Sequence, residues 1–320
     1  MEIEIIDEIY ENTKKYRIRL GLCCINTILR HSKPEIFCSR NLIRRTYTIE
    51  KAKNLALRNI KDLIKMIEWN QNEGITLFRI SSDIFPRFTD VDVSGYTIDF
   101  ARPLLKEVGD LIKKYNHRIL MHPGQYNQVG AKDSYVFEKT VFELEHHCDI
   151  LDAMGMGKES VIIVHGGGTY GDKLKTIERW IEQFNLLPEK VKYRLVLENC
   201  ERGYSPSDCL DICKRINIPM VFDCHHYECY IKLHPKEIVN LDIPGIISTW
   251  NGITPIMHVS NQGQGRIGNH SDYIDIIPDY ILDIPEKYGI NIDLEVEAKM
   301  KEQAIFKLRE KYRDNRVKIY

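Results

Sequence analysis

Six apolar segments of this chain each lead into a residue of a type that binds metal ions. Residues 119–121 precede His122, for example, and residues 161–164 precede His165. One histidine after a strand-like segment is usually structural, but six repetitions of the arrangement argue for a shared role. The six residues are His122, His165, Glu198, Asp223, His258 and Glu297.

Mixed imidazole and carboxylate ligands suit zinc, manganese or iron better than calcium or magnesium, which prefer oxygen ligands alone. His226 follows Asp223 by three residues and His270 follows His258 by twelve, so both can join the same cluster. These eight ligands exceed the need of one ion, whereas two or three ions that share a carboxylate would use them all. Adjacent ions stabilise the attacking and leaving oxygens in phosphate-ester hydrolysis and lower the pKa of bound water toward about 7.

Such a cluster requires a fold that gathers distant segments. Eight strand-like segments alternate with about eight helical ones. The helices are predicted at residues 49–72, 102–116, 133–154, 173–187, 205–216, 234–242 and 272–288, with a last helix beginning near residue 299. Strict alternation over about 300 residues predicts a closed (β/α)₈ TIM barrel with its active site at the C-terminal ends of the strands. A doubly wound open sheet is the alternative, but it would gather its site at one switch point.

Composition and the termini limit the class of protein. The net charge is −1, so no global positive field indicates a nucleic-acid partner, although a local basic groove is compatible with this balance. The nine cysteines lack the spacing of a disulfide framework, which favours free thiols in a reducing compartment. Residues 1–16 are interpreted as a polar lead-in without secretory features, and residues 17–320 as one barrel domain. No segment is long and apolar enough for a membrane span, so we expect a soluble cytoplasmic or nuclear protein.

Seven short motifs, taken in order, resemble those of the UV damage endonuclease family. They are His122-Pro123-Gly124-Gln125-Tyr126, His165-Gly166-Gly167, Leu197-Glu198-Asn199, Val221-Phe222-Asp223-x-His225-His226, Met257-His258-Val259-Ser260, His270-Ser271-Asp272-Tyr273 and Val296-Glu297-Ala298-Lys299. Each motif is weak alone, and their order and spacing over residues 17–305 make the set specific. The family is similar in fold and metal site to endonuclease IV, an abasic-site nuclease.

The resemblance implies a TIM barrel that binds two to three divalent ions, commonly Mn²⁺, with Zn²⁺ or another divalent ion as the alternative. It implies a DNA repair endonuclease whose substrate is UV-damaged double-stranded DNA. The backbone would be nicked immediately 5′ to a cyclobutane pyrimidine dimer or a 6-4 photoproduct, leaving a 3′-hydroxyl. We expect a monomer in which metal-activated water attacks the phosphorus.

The resemblance also implies roles for single residues. Glu198 is expected to bridge two ions, and His122 and His165 to complete one site. Asp223 and Glu297 would form another with a further histidine. The remaining expected ligands are His226 and His270 at an outer ion and His258 in the same basin. The expected catalytic residues are Glu198, Glu297 and His258.

Three residues are expected to contact DNA. Gln125 and Tyr126 match the pair that probes the duplex where the lesion is flipped out, and Asn26 matches a DNA-contacting asparagine near the first strand. A flat phenol can fill a vacated stacking space, and an amide can test orphaned bases.

The chain departs from the family pattern at two positions. Leu22 stands where relatives often carry a tyrosine, so one lesion contact is expected to be missing or replaced. Ile256 stands where some members carry a lysine near the metals, and an isoleucine can neither ligate nor carry charge. Strand alternation sends Glu295 and Glu297 to the same side, and the Glu-Ala-Lys context favours Glu297 as the ligand.

Three other functions are weighed against this one. An endonuclease IV-like enzyme would cut abasic sites faster than photoproducts. A sugar isomerase on a related barrel would show more carboxylate ligands and a catalytic lysine, and it has no use for Gln125 and Tyr126. A DNA-binding module with structural histidines would fold and bind DNA without any metal.

Overall fold

The computed structural model describes residues 16–93, 95–315 and 317–320. Residues 1–15 of the predicted lead-in therefore lie outside the described residues. Short buried strands alternate with helices along the described chain. The strands are β1 Arg17–Cys23, β2 Leu77–Ile80, β3 Arg118–Met121, β4 Ile162–His165, β5 Leu195–Glu198, β6 Met220–Asp223, β7 Ile256–Val259, β8 Ile292–Val296 and β9 Lys318–Ile319.

Strands β1 to β8 form a closed parallel sheet. Each strand pairs with the next, and β8 pairs with β1. Gly21 of β1 lies opposite Leu77 of β2, where an added Cβ would come 2.5 Å from the Leu77 Cδ2 atom. Strand β9 pairs in parallel with the first residues of β1. This closure confirms the predicted (β/α)₈ barrel and excludes the doubly wound sheet.

Helices connect the strands and cover the outside of the barrel. They are α1 Thr27–Arg30, α2 Ile49–Asn72, α3 Arg102–Lys114, α4 Ser134–Ala153, α5 Lys173–Leu186, α6 Glu189–Lys192, α7 Pro206–Ile216, α8 Cys224–Leu233, α9 Ile243–Ser248, α10 Asp279–Leu282, α11 Ile284–Tyr288 and α12 Glu302–Lys311. Several begin where a short polar side chain accepts a bond from a free backbone N–H, as Thr48 does from Lys51 and Asp133 from Tyr135.

Two predicted helices are wrong, and prolines explain both. Residues 234–242 are irregular, because Pro235 disfavours the helical conformation of the residue before it and ends α8 at Leu233. Residues 272–288 hold only two short helices. Helix α10 follows Pro278, and α11 contains Pro285 in its first turn. Proline is favoured in the first turn of a helix, so each of these two residues starts a new helix instead of continuing one.

A layer of apolar side chains fills the barrel below its C-terminal mouth. These buried residues form a cluster separate from the larger core between barrel and helices. The cluster consists of Leu77, Leu120, Val161, Ile163, Val196, Val221, Trp250 and Ile256. Side chains two residues apart on a strand face the same side, so the residues that follow this layer also point into the barrel. They are Arg79, His122, His165, Glu198, Asp223 and His258.

The last helix connects the end of the barrel to its beginning. Glu302, the first residue of α12, is fully buried. Its carboxylate accepts hydrogen bonds from the backbone N–H groups of Thr27 and Ile28, at 2.8 and 2.9 Å. Glu302 therefore caps the first turn of α1 and fixes the loop after β1 at the barrel mouth.

Candidate metal centre

Glu198 is the centre of the cluster at the barrel mouth. Its side chain is buried at the end of β5, where it faces several imidazoles. The Oε2 atom lies 2.9 Å from His122 Nε2 and 3.8 Å from His165 Nε2. The Oε1 atom lies 3.1 Å from His226 Nδ1 and 3.2 Å from His258 Nδ1. Each oxygen therefore has its own pair of histidines, which suits a carboxylate shared between two neighbouring sites.

Three groups of ligand-type side chains can be separated at this mouth, and within each the ligand atoms lie within 4.8 Å of one another. The groups are His122, His165 and Glu198; Glu198, Asp223 and His226; and Asp223, His258 and Glu297. Because Glu198 and Asp223 each belong to two groups, the three form one continuous cluster. The structure thus brings together seven of the eight predicted ligands.

Asp223 is held so that one of its oxygens stays free. The residue is both the end of β6 and the N-cap of α8, and its Oδ1 accepts a 2.7 Å hydrogen bond from the His226 backbone N–H. The Asn199 side chain exchanges two 2.9 Å hydrogen bonds with the backbone of Asp223. The Asp223 Oδ2 atom is buried and accepts no hydrogen bond in the described protein, and it faces His226 Nδ1 at 3.5 Å and His258 Nδ1 at 3.8 Å. A buried carboxylate oxygen that accepts no hydrogen bond among ligand-type side chains is suited to bind a cation.

Glu295 and Glu297 have different surroundings. Glu297 belongs to one of the ligand groups, and its side chain is 12% exposed. Glu295 is fully buried, with its Oε2 atom 2.8 Å from His258 Nε2. A carboxylate behind a histidine fixes the ring orientation and directs the other nitrogen toward the ligand cluster. This arrangement supports Glu297 as the ligand and gives Glu295 an orienting position.

Arg79 is a site residue that the sequence prediction omitted. Its side chain is buried at the end of β2, and Nη2 lies 2.5 Å from Glu297 Oε1. The Nε atom lies 3.5 Å from Glu295 Oε1. Arg79 follows Leu77 by two residues, as His122 follows Leu120, so the same spacing could have revealed it. The guanidinium offsets part of the negative charge that two glutamates bring into the barrel.

Opposite charges within the cluster shift the pKa values of its side chains. Burial by itself would raise the pKa of Glu198, but His165 and His258 hold that pKa well below its usual value. Burial would lower the pKa of His258, yet Glu198 and Glu295 raise it well above the usual value. Neighbouring carboxylates likewise raise the pKa of His226 despite burial, whereas burial lowers the pKa of His165 to about 4. The positive charge of protonated His226 and His258 thus compensates the negative charge of the carboxylates, and a bound cation would take the place of these protons.

His270 is placed differently from the other predicted ligands. Its Nδ1 atom lies 2.8 Å from Ser260 Oγ, and its Nε2 atom lies 3.4 Å from Glu297 Oε2. Among the described residues it belongs to none of the three ligand groups. The ring next to it is His225, at 5.7 Å between centroids. An outer ion shared by His226 and His270 stays a prediction.

The two expected probe residues lie in the loop after β3. Both side chains are exposed, and Tyr126 is 90% exposed. Gln125 lines a cavity of about 350 Å³ together with His165 and Arg202, so this cavity opens beside the metal cluster. An aromatic ring in water next to a site is free to stack on a base.

Asn26, the third expected DNA contact, is only 2% exposed. Its Oδ1 atom accepts a 2.8 Å hydrogen bond from the Leu29 backbone N–H and so caps α1, while Nδ2 has no partner within the described chain. The side chain supports the loop after β1 in this conformation, and its contact with DNA stays a prediction.

The residues present fit divalent cations. Ligand atoms about 2.0–2.2 Å from an ion lie at most roughly 4.4 Å from one another. The ligand atoms of each group lie within 4.8 Å, so small side-chain movements would close them around an ion. The Asp223 Oδ2 atom, which accepts no hydrogen bond in the described protein, and the mixture of imidazoles with carboxylates also favour a divalent cation.

Comparison with known proteins shows the family to which the chain belongs. The family model for UV-endonuclease UvdE matches residues 18–318. The chain belongs to this family. The UV-damage endonuclease of Schizosaccharomyces pombe is 40% identical over 316 residues, which cover 93% of this chain and 51% of that protein. The UV DNA damage endonuclease of Bacillus cereus (strain B4264) is 32% identical over 283 residues, 87% of this chain and 88% of that protein.

Solved structures share the barrel of this UvdE family member. The crystal structure of SacUVDE has a TM-score of 0.79 and 26% identity, covering 93% of this chain and 99% of that chain. Endonuclease IV from Thermus thermophilus has a TM-score of 0.55 and 12% identity over the same shares, which is a likeness of fold alone. None of the helices in the described part of this UvdE chain combines the length and apolar character needed to cross a bilayer.

The two departures from the UvdE pattern lie in apolar surroundings. Leu22 is fully buried in the core between barrel and helices, so its side chain does not reach the mouth. Ile256 is fully buried in the apolar layer two residues below His258. Both residues therefore contribute to packing under the site, and Ile256 forms part of the floor of the ligand cluster.

Proposed function

We propose that this UvdE family member is a metal-dependent DNA repair endonuclease that nicks double-stranded DNA 5′ to cyclobutane pyrimidine dimers and 6-4 photoproducts. The observation that carries the proposal is the cluster of three ligand groups at the barrel mouth with the exposed Tyr126 beside it. In this proposal the protein acts as a monomer through one barrel domain, residues 17–320, and leaves a 3′-hydroxyl.

Two to three divalent ions are proposed to occupy the cluster, with Mn²⁺ first and Zn²⁺ second. Bound there, such ions would lower the pKa of water and stabilise charge on the attacking and leaving oxygens. The proposed ligands are His122, His165, Glu198, Asp223, His226, His258, His270 and Glu297. Support comes from the distances within the three groups and from the unpartnered oxygen of Asp223.

Three residues are proposed to do most of the catalytic positioning. Glu198 offers one oxygen to each neighbouring ligand group and stays ionised at neutral pH, because the imidazoles lower its pKa. His258 directs Nδ1 to within 3.2 Å of Glu198 Oε1 and 3.5 Å of Glu297 Oε1. Its Nε2 atom lies 2.8 Å from Glu295 Oε2, an ion-pair contact that orients the ring so that Nδ1 faces the ligand carboxylates. Glu297, partly exposed, is the carboxylate nearest to an incoming phosphate.

Lesion recognition is proposed to rest on Gln125 and Tyr126. Both lie a few residues after the end of β3, in the loop that leads to α4, so the barrel places them at the mouth where the duplex would lie. Tyr126 would occupy the stacking space left when the damaged bases leave the helix, and Gln125 would face the bases left unpaired. Asn26 is proposed as a further DNA contact at the neighbouring loop.

A set of matched duplexes tests the proposal. Four end-labelled duplexes of one sequence carry a cyclobutane dimer, a 6-4 photoproduct, an abasic site or no damage. We expect Mn²⁺-dependent nicking immediately 5′ to both photoproducts, a 3′-hydroxyl end that a polymerase extends, and no nicking in excess EDTA. Equal cutting of damaged and undamaged duplexes would refute lesion specificity, and much faster cutting at the abasic site would favour the endonuclease IV-like alternative.

A further inference from the structure

A cationic pocket adjoins the ligand cluster on the side of β8. Its volume is about 320 Å³, and its lining residues are Arg79, His270, Glu297, Ala298, Lys299 and Lys301. Arg79 is paired with Glu295 and Glu297, and Lys299 Nζ lies 3.9 Å from Asp272 Oδ1. No ion pair involves Lys301 among the described residues, so its ammonium group favours an anion in the pocket. Lys299 and Lys301 have no part in the ligand cluster or in the lesion probe.

Arg79 forms part of the inner wall of this pocket. Only 8% of the residue's surface is exposed, and its Nη2 atom is held by Glu297. Its Nε atom is buried and faces Glu295 Oε1 at 3.5 Å. The two glutamates therefore fix the guanidinium in the pocket wall.

The backbone at Lys301 indicates a role for its side chain in the pocket. This residue precedes α12 with φ 50° and ψ −119°, a combination that glycine adopts readily and other residues adopt under strain. Its backbone N–H donates to the Ala298 carbonyl, which holds the turn closed. A glycine would relieve the strain but would remove the ammonium group from the pocket. A strained lysine beside a site is a reason to look for a function of its side chain.

We propose that this pocket binds a phosphodiester of the DNA backbone next to the one that is cut, with Lys301 as its main contact, Lys299 beside it and Arg79 in the pocket wall. The inference rests on the proposed function, since it assumes that DNA lies across the barrel mouth. Lysine and arginine contacts to backbone phosphates fix the register of a protein on a duplex without reading sequence or damage. Because Glu297 belongs to both the pocket and the ligand cluster, a phosphate held here sets the strand relative to the metal centre.

The test compares Lys301→Gln and Lys301→Gly with the wild-type full chain in Mn²⁺. The control is Lys158→Gln, which removes the same charge from an exposed loop between α4 and β4, at the opposite end of the barrel. Affinity for an undamaged duplex is measured by fluorescence anisotropy over a series of salt concentrations. KM for the duplex with one dimer is measured from nicking rates at low salt.

We expect Lys301→Gln to reduce the slope of log affinity against log salt by about 0.9, the contribution of one phosphate contact. Affinity for undamaged DNA should fall about five- to tenfold, and KM for damaged DNA should rise by a similar factor. Lys301→Gly should weaken binding equally while raising Tm, because glycine removes the backbone strain. A residue with a structural role alone would not move binding and Tm in opposite senses. Lys158→Gln should leave the slope unchanged.

Two results would overturn the inference. One is a Lys301→Gln protein whose slope of log affinity against log salt equals that of the wild type, and the other is a loss of affinity confined to the damaged duplex. Failure of the proposed function is observed separately, as a wild-type protein that does not nick the damaged duplex in Mn²⁺. A wild type that nicks, together with variants that keep the wild-type slope, refutes the phosphate pocket and leaves the endonuclease proposal standing.

Discussion

The substitution Glu198→Gln removes one charge from the middle of the ligand cluster. Glutamine keeps the volume and one carbonyl oxygen but replaces the other oxygen by an NH₂ group. In the native side chain Oε2 faces His122, and Oε1 faces His226 and His258. Whichever way the amide turns, one set of imidazoles meets a donor in place of a ligand oxygen. One ligand group at least therefore loses its ability to bind a cation.

The size of the effect follows from what that carboxylate does. If one ion is lost and with it several kcal/mol of charge stabilisation, at about 1.4 kcal/mol for each tenfold change in rate, kcat should fall by roughly 10²- to 10⁴-fold. Removing one partner of a buried charge pair costs about 3–5 kcal/mol of folding free energy. His226 and His258 can respond by losing their protons, so we expect the metal-free variant to lose no more than about 3 kcal/mol.

Calorimetric titration, thermal unfolding and nicking of the dimer duplex measure the outcome together. Wild-type protein with Mn²⁺ at a hundred times its dissociation constant should gain about 2.7 kcal/mol for each occupied site, and the variant should lose that gain at one site or more. The control is Glu182→Gln on the exposed face of α5, which removes the same charge far from the mouth. A Glu198→Gln protein that binds as many ions as the wild type and nicks at its rate would refute the reasoning.

Three further predictions concern the probe, the pH dependence and the last helix. Tyr126→Ala should leave the unfolding free energy within about 0.5 kcal/mol of wild type. The same substitution should remove about 1–3 kcal/mol of stacking energy with photoproduct DNA, whereas Tyr126→Phe should retain this energy. Nicking of the damaged duplex should therefore slow in Tyr126→Ala and not in Tyr126→Phe, with the undamaged duplex as the control. Burial lowers the pKa of His117 to about 4, so as the pH falls from 6.5 the unfolded chain takes up a proton before the folded chain does. Between pH 6.5 and 4 the unfolding free energy of the wild type should therefore fall by up to about 3 kcal/mol relative to that of His117→Gln. Urea unfolding at several pH values measures this difference. Glu302→Gln should lower the unfolding free energy by about 2 kcal/mol through weaker capping of α1, without changing Mn²⁺ binding by calorimetry.

The barrel could be predicted from the sequence because its signal is repeated. The strands β1 to β8 are short, mostly buried and followed by helix-like sequence, and closure of the parallel sheet confirmed that prediction. The ligand groups followed from the same regularity, since a polar residue two positions beyond an inward apolar residue must also point inward. His122 beyond Leu120 and His258 beyond Ile256 obey this rule. His226 on α8 and Glu297 just beyond β8 lie outside this rule, and the sequence motifs indicated them instead.

Contacts that join distant loops could not be predicted in the same way. Asn199 holds Asp223 through its amide, and nothing in the spacing of these two residues distinguishes an orienting amide from a surface one. Arg79 was overlooked because an arginine among apolar residues is usually paired at a surface, whereas here Glu295 and Glu297 of a strand distant in sequence compensate its charge. The helix errors at residues 234–242 and 272–288 arose where prolines interrupt an apolar periodicity.

The contacts behind the ligands decide how the cluster should respond to mutation. The Asp223 carboxylate is fixed by the His226 backbone, and His258 by Glu295, so these side chains lose little rotamer freedom when an ion binds. Preorganised ligands of this kind make metal affinity depend on their supports as well as on themselves. A change at Glu295, which belongs to none of the three ligand groups, should therefore weaken metal binding through the orientation of His258. The apolar floor that includes Ile256 acts in the same direction, because a tightly packed layer leaves the ligand-bearing strand ends no room to move apart.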